Sequence, residues 1–366
     1  MRMSKLKGME MKSVKQIREK IDKIDQKLVK LLNQRAALAV DIAAVKQKTG
    51  SPIFLPAREN EILKRVEALN KGPLPDEPLK NIFREIFSAT RSVERKIKVA
   101  SLGPAGTFSH LAAMRMFGSS CVHTLEPSFE AVFRDVEKGV ADFGVAPVEN
   151  AIEGEIGQTL DLFMDSDVNI YGELYYRINH NLLSKAKSMD KIKTLYTHYM
   201  PLGQCRRWVA QNLPGARVIE TSSTSEAAKM AAKDASSAAI GALEAAKIYG
   251  LPVLAGNIED KPGNQTRFFI ISKSKSPRSG KDKTSIMFSI SDAAGALSKI
   301  LRPFAAKGLN LSKIQSRPTK KENWQYVFFI DFDGHRDDPD VKWALNKVKS
   351  QTIFLKTLGS YPNARA

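Results

Sequence analysis

Apolar residues recur at spacings of three and four through Ile17, Ile21, Ile24, Leu28, Leu31 and Leu32, then Leu38, Ile42 and Val45. This period predicts one long amphipathic helix, ended by Gly50-Ser51-Pro52. A second helix starts near Pro56 and carries Ile62, Leu63, Val66 and Leu69 on one side. After Gly72-Pro73-Leu74-Pro75 a third helix carries Leu79, Ile82, Phe83, Ile86 and Phe87. One very long helix and two shorter ones cannot close a good core in a monomer. The all-helical segment 10–97 is therefore expected to dimerise.

Beyond residue 97 the period changes. Residues 97–102 read as strand, 129–138 as helix and 143–146 as a short buried strand. Another unit starts at 194, a helix spans 223–232, and strands follow at 238–241 and 268–271. Segment 98–275 is thus α/β, with ligands expected at loops beyond the strand ends. A polar, basic linker at 272–283 leads into a third segment, 284–361. Its strands are expected at 284–290, 309–315, 326–332 and 352–358, and its helices at 295–306 and 341–348. That order is ferredoxin-like α+β.

Composition narrows the picture. Hydrophobic content of 43% and charged content of 26% are those of a soluble globular protein. No apolar run reaches the roughly 18 residues of a membrane span. The basic stretch Met1–Lys12 has no apolar run behind it, so no secretory signal is expected. Cys121 and Cys205, the only cysteines, fit a reduced cytoplasmic setting. The net charge is +18, and the first hundred residues hold 23 Lys and Arg against 12 Asp and Glu. These basic residues are spread along helices, not clustered with aromatics. Attraction of small polyanionic substrates, with a solvated basic surface, is favoured over nucleic-acid binding. Five scattered histidines without Cys–His pairing give no expected metal site.

Candidate chemistry gathers at the loops of the α/β segment. Gly103-Pro104-Ala105-Gly106-Thr107-Phe108-Ser109-His110 lies between a strand and a helix, where glycines admit a ligand to the backbone and Thr107 and Ser109 can cap. Helix N-termini of this kind bind anions, although a plain capped turn has the same pattern. Pro147-Val148-Glu149-Asn150, Thr197-His198 with Gln204-Cys205-Arg206, Ser222-Ser223-Thr224-Ser225 and Asn264-Gln265-Thr266-Arg267-Phe268 are further polar loops at strand ends. Each alone is an ordinary cap or turn; together they look like a converging pocket. Of the histidines beside these loops, His110 reads as structural and His198 lies closer to the pocket.

In the helical segment, Arg35 and Lys46 are 11 residues apart, about 1100° of helix, and so share a face, roughly 16 Å apart. Arg18 is about 100° away from that face and would serve a partner chain's pocket. Glu59, Thr90 and Glu94 add polar groups from the other helices. Spacing alone assigns such basic residues to the solvated face of the helix.

The order of the central loops resembles prephenate dehydratase. The resemblance implies a two-lobed α/β fold like the periplasmic binding proteins, with the site between lobes. Thr266 would be the catalytic hydroxyl, donating toward the leaving group. Thr107, Ser109, Asn150, Gln204, Ser223 and Thr224 would bind prephenate, Glu149 would orient them, and Arg267 would supply charge or brace the loop. No cofactor is implied, because ring aromatisation drives the loss of carbon dioxide and hydroxide. Ile17-Arg18-Glu19-Lys20-Ile21-Asp22, Asp25, Arg35, Lys46 and Arg58-Glu59 resemble the helical chorismate mutases, a domain-swapped dimer that rearranges chorismate to prephenate. That resemblance implies that Arg18 of a partner and Arg35 hold carboxylates, that Lys46 and Glu94 act at the ether oxygen, that Glu59 binds the substrate hydroxyl, and that Thr90 lines the site. A Glu donates to an ether oxygen only when protonated, so mutase turnover is expected to fall as pH rises toward and past neutrality. Leu55 stands where an acidic residue is common. Asp292-Ala293-Ala294-Gly295-Ala296-Leu297 and Gln315-Ser316-Arg317-Pro318 resemble the ACT regulatory domain, in which phenylalanine binds at a dimer interface; Gly295, Ala296, Leu297, Gln315, Ser316 and Arg317 would be its contacts. The expected protein is a bifunctional enzyme, inhibited by phenylalanine, forming a homodimer or larger homo-oligomer, with no nucleic-acid or membrane partner. Two other readings are a monofunctional prephenate or arogenate dehydratase whose helices only dimerise it, and a non-catalytic small-ligand sensor.

Overall fold

The computed structural model describes residues 14–49, 52–318 and 326–365. The expected break at Gly50-Ser51 and the basic run Met1–Lys12 lie outside them.

The long apolar period forms one helix, α1 (Val14–Thr49). α2 (Pro56–Leu69) opens on a proline, whose missing N–H costs nothing in a first turn. α3 (Asp76–Glu94) opens on Asp76 and Glu77, which suit the positive end of the helix dipole. α3 lies against both, with Phe87 buried, yet the α1 stripe stays open: Ile21 is 50% and Leu31 60% exposed. An apolar face of that length on a single chain marks a surface that associates.

The α/β segment folds as two lobes. The first contains β1 (Lys98–Leu102), α4 (Phe108–Phe117), β2 (Val122–Glu126), α5 (Phe129–Glu137), β3 (Phe143–Asn150), β4 (Gly154–Glu155), α6 (Gly157–Asp165) and β5 (Asn169–Arg177). The second contains β6 (Asn181–Ser184), β7 (Thr194–Thr197), α7 (Tyr199–Gln204), α8 (Arg206–Asn212), β8 (Arg217–Glu220), α9 (Thr224–Ala231), β9 (Ser237–Gly241), α10 (Leu243–Tyr249) and β10 (Val253–Ala255). The chain then returns to the first lobe as β11 (Gln265–Ser272), which inserts antiparallel between β3 and β5. The sheet orders are β2-β1-β3-β11-β5 and β10-β6-β9-β7-β8. Two crossings join the lobes, at β5–β6 and β10–β11, and the cleft lies between them.

The last segment contains β12 (Asp282–Ser289), α11 (Ala296–Ala306), β13 (Leu311–Pro318), β14 (Tyr326–Asp333), α12 (Pro339–Lys349) and β15 (Phe354–Pro362). Its sheet order, β13-β14-β12-β15, has the expected ferredoxin-like succession. β13 runs on to Pro318, past the expected end at 315, because its ladder to β14 continues through Pro318 and Tyr326.

Strand alternation assigns the two faces of this sheet. Ile286, Phe288, Ile330 and Phe332 pack under the segment's own helices. Met287, Phe329, Leu358 and Tyr361 point the other way and join Phe133, Phe163 and Phe269 in one core with the first lobe. The opposite face of that lobe packs on the helical segment through Phe54, Phe117, Phe143 and Tyr171, and the Tyr171 hydroxyl donates to the Phe54 carbonyl at 2.5 Å. Lobe one is therefore the hub on which the other segments sit.

Candidate active sites

α1, α2 and α3 enclose a cavity of about 590 Å³ that gathers Arg35, Lys46, Glu59, Thr90 and Glu94. Arg35 Nη1 donates to Thr90 Oγ1 at 2.6 Å, and the Thr90 hydroxyl donates to Ile86 O at 2.6 Å. Lys46 Nζ reaches Glu94 Oε2 at 3.3 Å and Ile53 O at 3.2 Å. Leu38, Ile42, Ile53, Leu55 and Ile62 supply an apolar wall. Leu55 thus contributes surface where a charge was the commoner expectation. Arg18 is exposed on α1 and about 25 Å along the axis from Arg35, so one chain does not bring the two together.

Sequence reading missed Arg91. It is 4% exposed, donates through Nη1 to the Glu59 carboxylate, and donates through Nη2 to Phe117 O at 2.6 Å. Its guanidinium lies over the Phe54 ring, 5.2 Å from the centroid. A signal was present: Arg91 follows Phe87 by four residues, where the apolar stripe of α3 should continue. Burial pushes the Glu59 carboxyl above its ordinary pKa, while Arg91, Arg35 and Lys46 pull it back. Glu59 is thereby an acceptor aimed into a cationic cavity.

Between the lobes lies a cavity of about 180 Å³. Thr266 and Asn150, on paired strands β11 and β3, face into it. The Asn150 Oδ1 accepts from the N–H groups of Ile152 and Glu153, both at 3.0 Å. That fixes its NH₂ toward Thr266 Oγ1, at 2.9 Å. With its oxygen already accepting, the Thr266 hydroxyl keeps its own hydrogen for the cavity.

Three helices start at this cavity. Thr107 caps α4 and Ser223 caps α9, each accepting a backbone N–H three residues on, and His198 caps α7. Among the described residues, none lining the cavity is Lys or Arg, so an anion placed there would meet helix N-termini, amides and hydroxyls. The Thr107 hydroxyl also donates to Leu102 O at 2.6 Å, which leaves it a shaping role. Ser223, Thr224 and Ser109 line the cavity. His198 lines it too, whereas His110 is turned to its own loop, accepting from Gly106 N at 3.1 Å.

Gln204 organises the far wall. Its Oε1 lies 2.9 Å from His180 Nε2 and accepts from Asn264 Nδ2 at 2.8 Å. Its Nε2 donates to Glu153 Oε1 at 3.3 Å. His180 was not singled out from the sequence, since it lies in an unremarkable loop, and Asn264, which opens the Asn264–Phe268 motif, was given no role of its own. Each keeps one buried polar atom, Nδ1 and Oδ1, without a protein partner. Burial lowers the His180 pKa, which favours the neutral ring.

Two expected pocket residues are not in the pocket. Glu149 and Arg267 are neighbours of Asn150 and Thr266, and strand alternation turns them to the reverse face of the sheet. There Arg267 bonds Glu173, Asp331 and Tyr361, and Glu149 bonds Lys313. Neither residue lines the cavity as a substrate contact, and of the two roles expected for Arg267 its bonds are those of a brace.

In the C-terminal segment Gly295 takes a left-handed conformation, φ 76°, and leads into α11 through Ala296 and Leu297. Gln315 and Arg317 lie on the half-buried face of β13, and Ser316 on the exposed face. Arg317 grips Asp161 of α6 with bonds of 2.7 and 3.1 Å. These two groups of residues are carried on separate elements, α11 and β13.

Three family matches lie along the chain. Residues 17–95 match the family described as chorismate mutase type II, 99–276 match prephenate dehydratase, and 284–350 match the ACT domain. A bifunctional chorismate mutase/prephenate dehydratase from Aquifex aeolicus is 47% identical over 358 residues, covering 97% of this chain and 99% of its own. The protein of the same name from Pseudomonas aeruginosa is 43% identical, covering 96% and 98%. Among solved structures, prephenate dehydratase from Arthrobacter aurescens in complex with L-Phe is similar with a TM-score of 0.68 and 35% identity, covering 74% of this chain and 91% of its own. With a mutase-type helical unit, a two-lobed dehydratase unit and an ACT domain in one chain, the protein belongs to the bifunctional chorismate mutase/prephenate dehydratase family.

Proposed function

We propose that the helical cavity rearranges chorismate to prephenate and that the interlobe cavity converts prephenate to phenylpyruvate. The observation that carries the second step is the Asn150–Thr266 bond at the cavity wall, in which the Thr266 oxygen accepts and its own hydrogen is left to donate. As the ring C–carboxylate bond breaks, its electron pair enters the ring and carbon dioxide leaves. The ring C–O bond breaks in the same event with its electron pair on oxygen, and Thr266 hydrogen-bonds to the departing hydroxide, which takes a proton from solvent to become water. Asn150 polarises Thr266, and the helix N-termini hold the carboxylates.

The mutase step is pericyclic and needs preorganised charge with a held conformer. Arg35 binds a carboxylate, Glu59 accepts from the substrate hydroxyl, and Lys46 with Glu94 faces the ether oxygen. Arg18 comes from a second copy, whose α1 covers the exposed stripe.

Phenylalanine bound at the ACT domain, at Gly295–Leu297 and Gln315–Arg317, lowers dehydratase turnover by favouring a less active state. The L-Phe complex of the similar dehydratase supports this reading. Free thiols at Cys121 and Cys205 support a reducing, cytoplasmic setting. The test supplies chorismate and prephenate separately and follows phenylpyruvate. Product from both is expected. Product from prephenate alone would reduce the helical segment to a dimerisation unit, and product from neither would favour a sensor.

A further inference from the structure

Asn150 and Thr266 are register partners across β3 and β11, and so are Glu149 and Arg267. The first pair faces the dehydratase cavity and the second faces the ACT domain. A sheet is one residue thick, so these adjacent pairs form a wall with chemistry on one side and regulation on the other.

The reverse side of that wall is closely tied. Arg267 Nε donates to Glu173 Oε2 at 2.7 Å, Nη1 to Asp331 Oδ2 at 2.6 Å, and Nη2 to the Tyr361 hydroxyl at 3.1 Å. Asp331 and Tyr361 belong to β14 and β15 of the ACT sheet, and Ser285 of β12 bonds both, at 2.5 and 2.6 Å. Lys283 of β12 reaches Glu173 Oε1 at 3.0 Å. Glu149 is held by Lys313 of β13 at 3.1 Å. Lys313 shares its strand face with Gln315 and Arg317. Two acidic and two basic groups therefore meet in the buried part of this seam, and the guanidinium presents its donors to the seam, away from the cavity.

We propose that Arg267 and Glu149 are positioning residues for the dehydratase reaction: they fasten the two strands that carry Thr266 and Asn150 to the ACT sheet, so that the placement of the ACT domain sets the alignment of the catalytic hydroxyl. A shift of β13 or β14 against lobe one is transmitted to the reacting groups through one residue of backbone. The proposal deepens the feedback reading and rests on it only where phenylalanine is added.

The test uses the full chain and two ACT-side substitutions remote from both cavities, Asp331→Asn and Lys313→Met, with circular dichroism to certify folding. With prephenate and no phenylalanine, kcat of Asp331→Asn is expected to fall by about tenfold or more, the cost of slight misplacement of a reacting group. KM stays within about twofold, the signature of an effect confined to the transition state. Mutase turnover of chorismate is unchanged. Lys313→Met, at the more exposed pair, loses roughly threefold in kcat by the same reasoning. A structural role alone would lower thermal stability and leave kcat of the folded enzyme as in the wild type. Wild-type kcat in both variants overturns the proposal, as does a raised KM with unchanged kcat, which would return Arg267 to the substrate. If Asp331→Asn does not fold, Lys313→Met decides by the same criterion. Added phenylalanine is then expected to inhibit the variants less than the wild type. A wild-type rate indifferent to phenylalanine sinks the feedback reading, while the kcat comparison still judges the positioning pair.

Discussion

Asn150 donates to the Thr266 hydroxyl oxygen, and its amide is turned that way because two backbone N–H groups occupy its own oxygen. On the other side of the same strand Arg267 is 4% exposed among Glu173, Asp331 and Tyr361. Burial opposes its charge, but those partners hold the guanidinium protonated well above its ordinary range. Removing one member of such a cluster strands the others: Arg267→Met is expected to lower unfolding free energy by roughly 3–5 kcal/mol, read as a reduced denaturant midpoint. In the mutase cavity, Glu59 is faced by Arg91 of α3 and by Arg35 and Lys46 of α1, with the Cys121 thiol nearby. Its folded-state pKa is raised by burial, so it takes up a proton at a higher pH than an exposed glutamate and then ceases to be an acceptor. Mutase kcat/KM is therefore expected to fall as pH drops through that raised value. Arg91→Met removes a charge that pulls the pKa down, so this acid limb should move to higher pH; an unmoved limb would deny Arg91 that influence.

At the scale of elements, the three long helices and the strands and helices of the last segment were legible because periodicity is a local property, whereas β2, β5, β6, β8, α6 and α10 of the α/β segment were not singled out. The 3.6-residue stripe of α1 and the hydroxyls that open α4 and α9 are written in consecutive residues. Thr266, Asn150, Gln204 and Ser223 were legible through loops that fall in a recognisable order. What Arg91 and Arg267 touch was not, since their partners come from distant segments: Asp331 lies 64 residues and Glu173 94 residues from Arg267. The face that a strand residue occupies follows from alternation, yet which face meets the cavity depends on the insertion of β11 between β3 and β5. The exposed stripe of α1 and the outward Arg18 make a prediction about association. Arg18→Ala and Arg35→Ala should each lose mutase activity. In a swapped two-fold dimer, an equal mixture of the two variants should recover about one quarter of wild-type activity, because half of the dimers are mixed and one of their two sites is complete. No recovery after mixing and exchange would argue for sites built within one chain.

The whole molecule is arranged around lobe one, with the mutase helices on one face and the ACT sheet on the other. Arg91 ties the mutase cavity to the end of α4, and α4 begins at the dehydratase cavity. Arg267 ties the opposite face to the ACT domain. The net charge of +18 suits an enzyme whose substrates are dianions, although the dehydratase cavity itself is lined by uncharged donors and helix ends. Long-range attraction and local recognition are thus performed by different groups. The central claim is that two separate sites act in succession, with Thr266 essential to the second alone. Thr266→Ala tests it most directly when supplied with chorismate. The account predicts that prephenate accumulates at the wild-type rate with no phenylpyruvate formed; phenylpyruvate at the wild-type rate, or loss of prephenate formation in a folded variant, would contradict it.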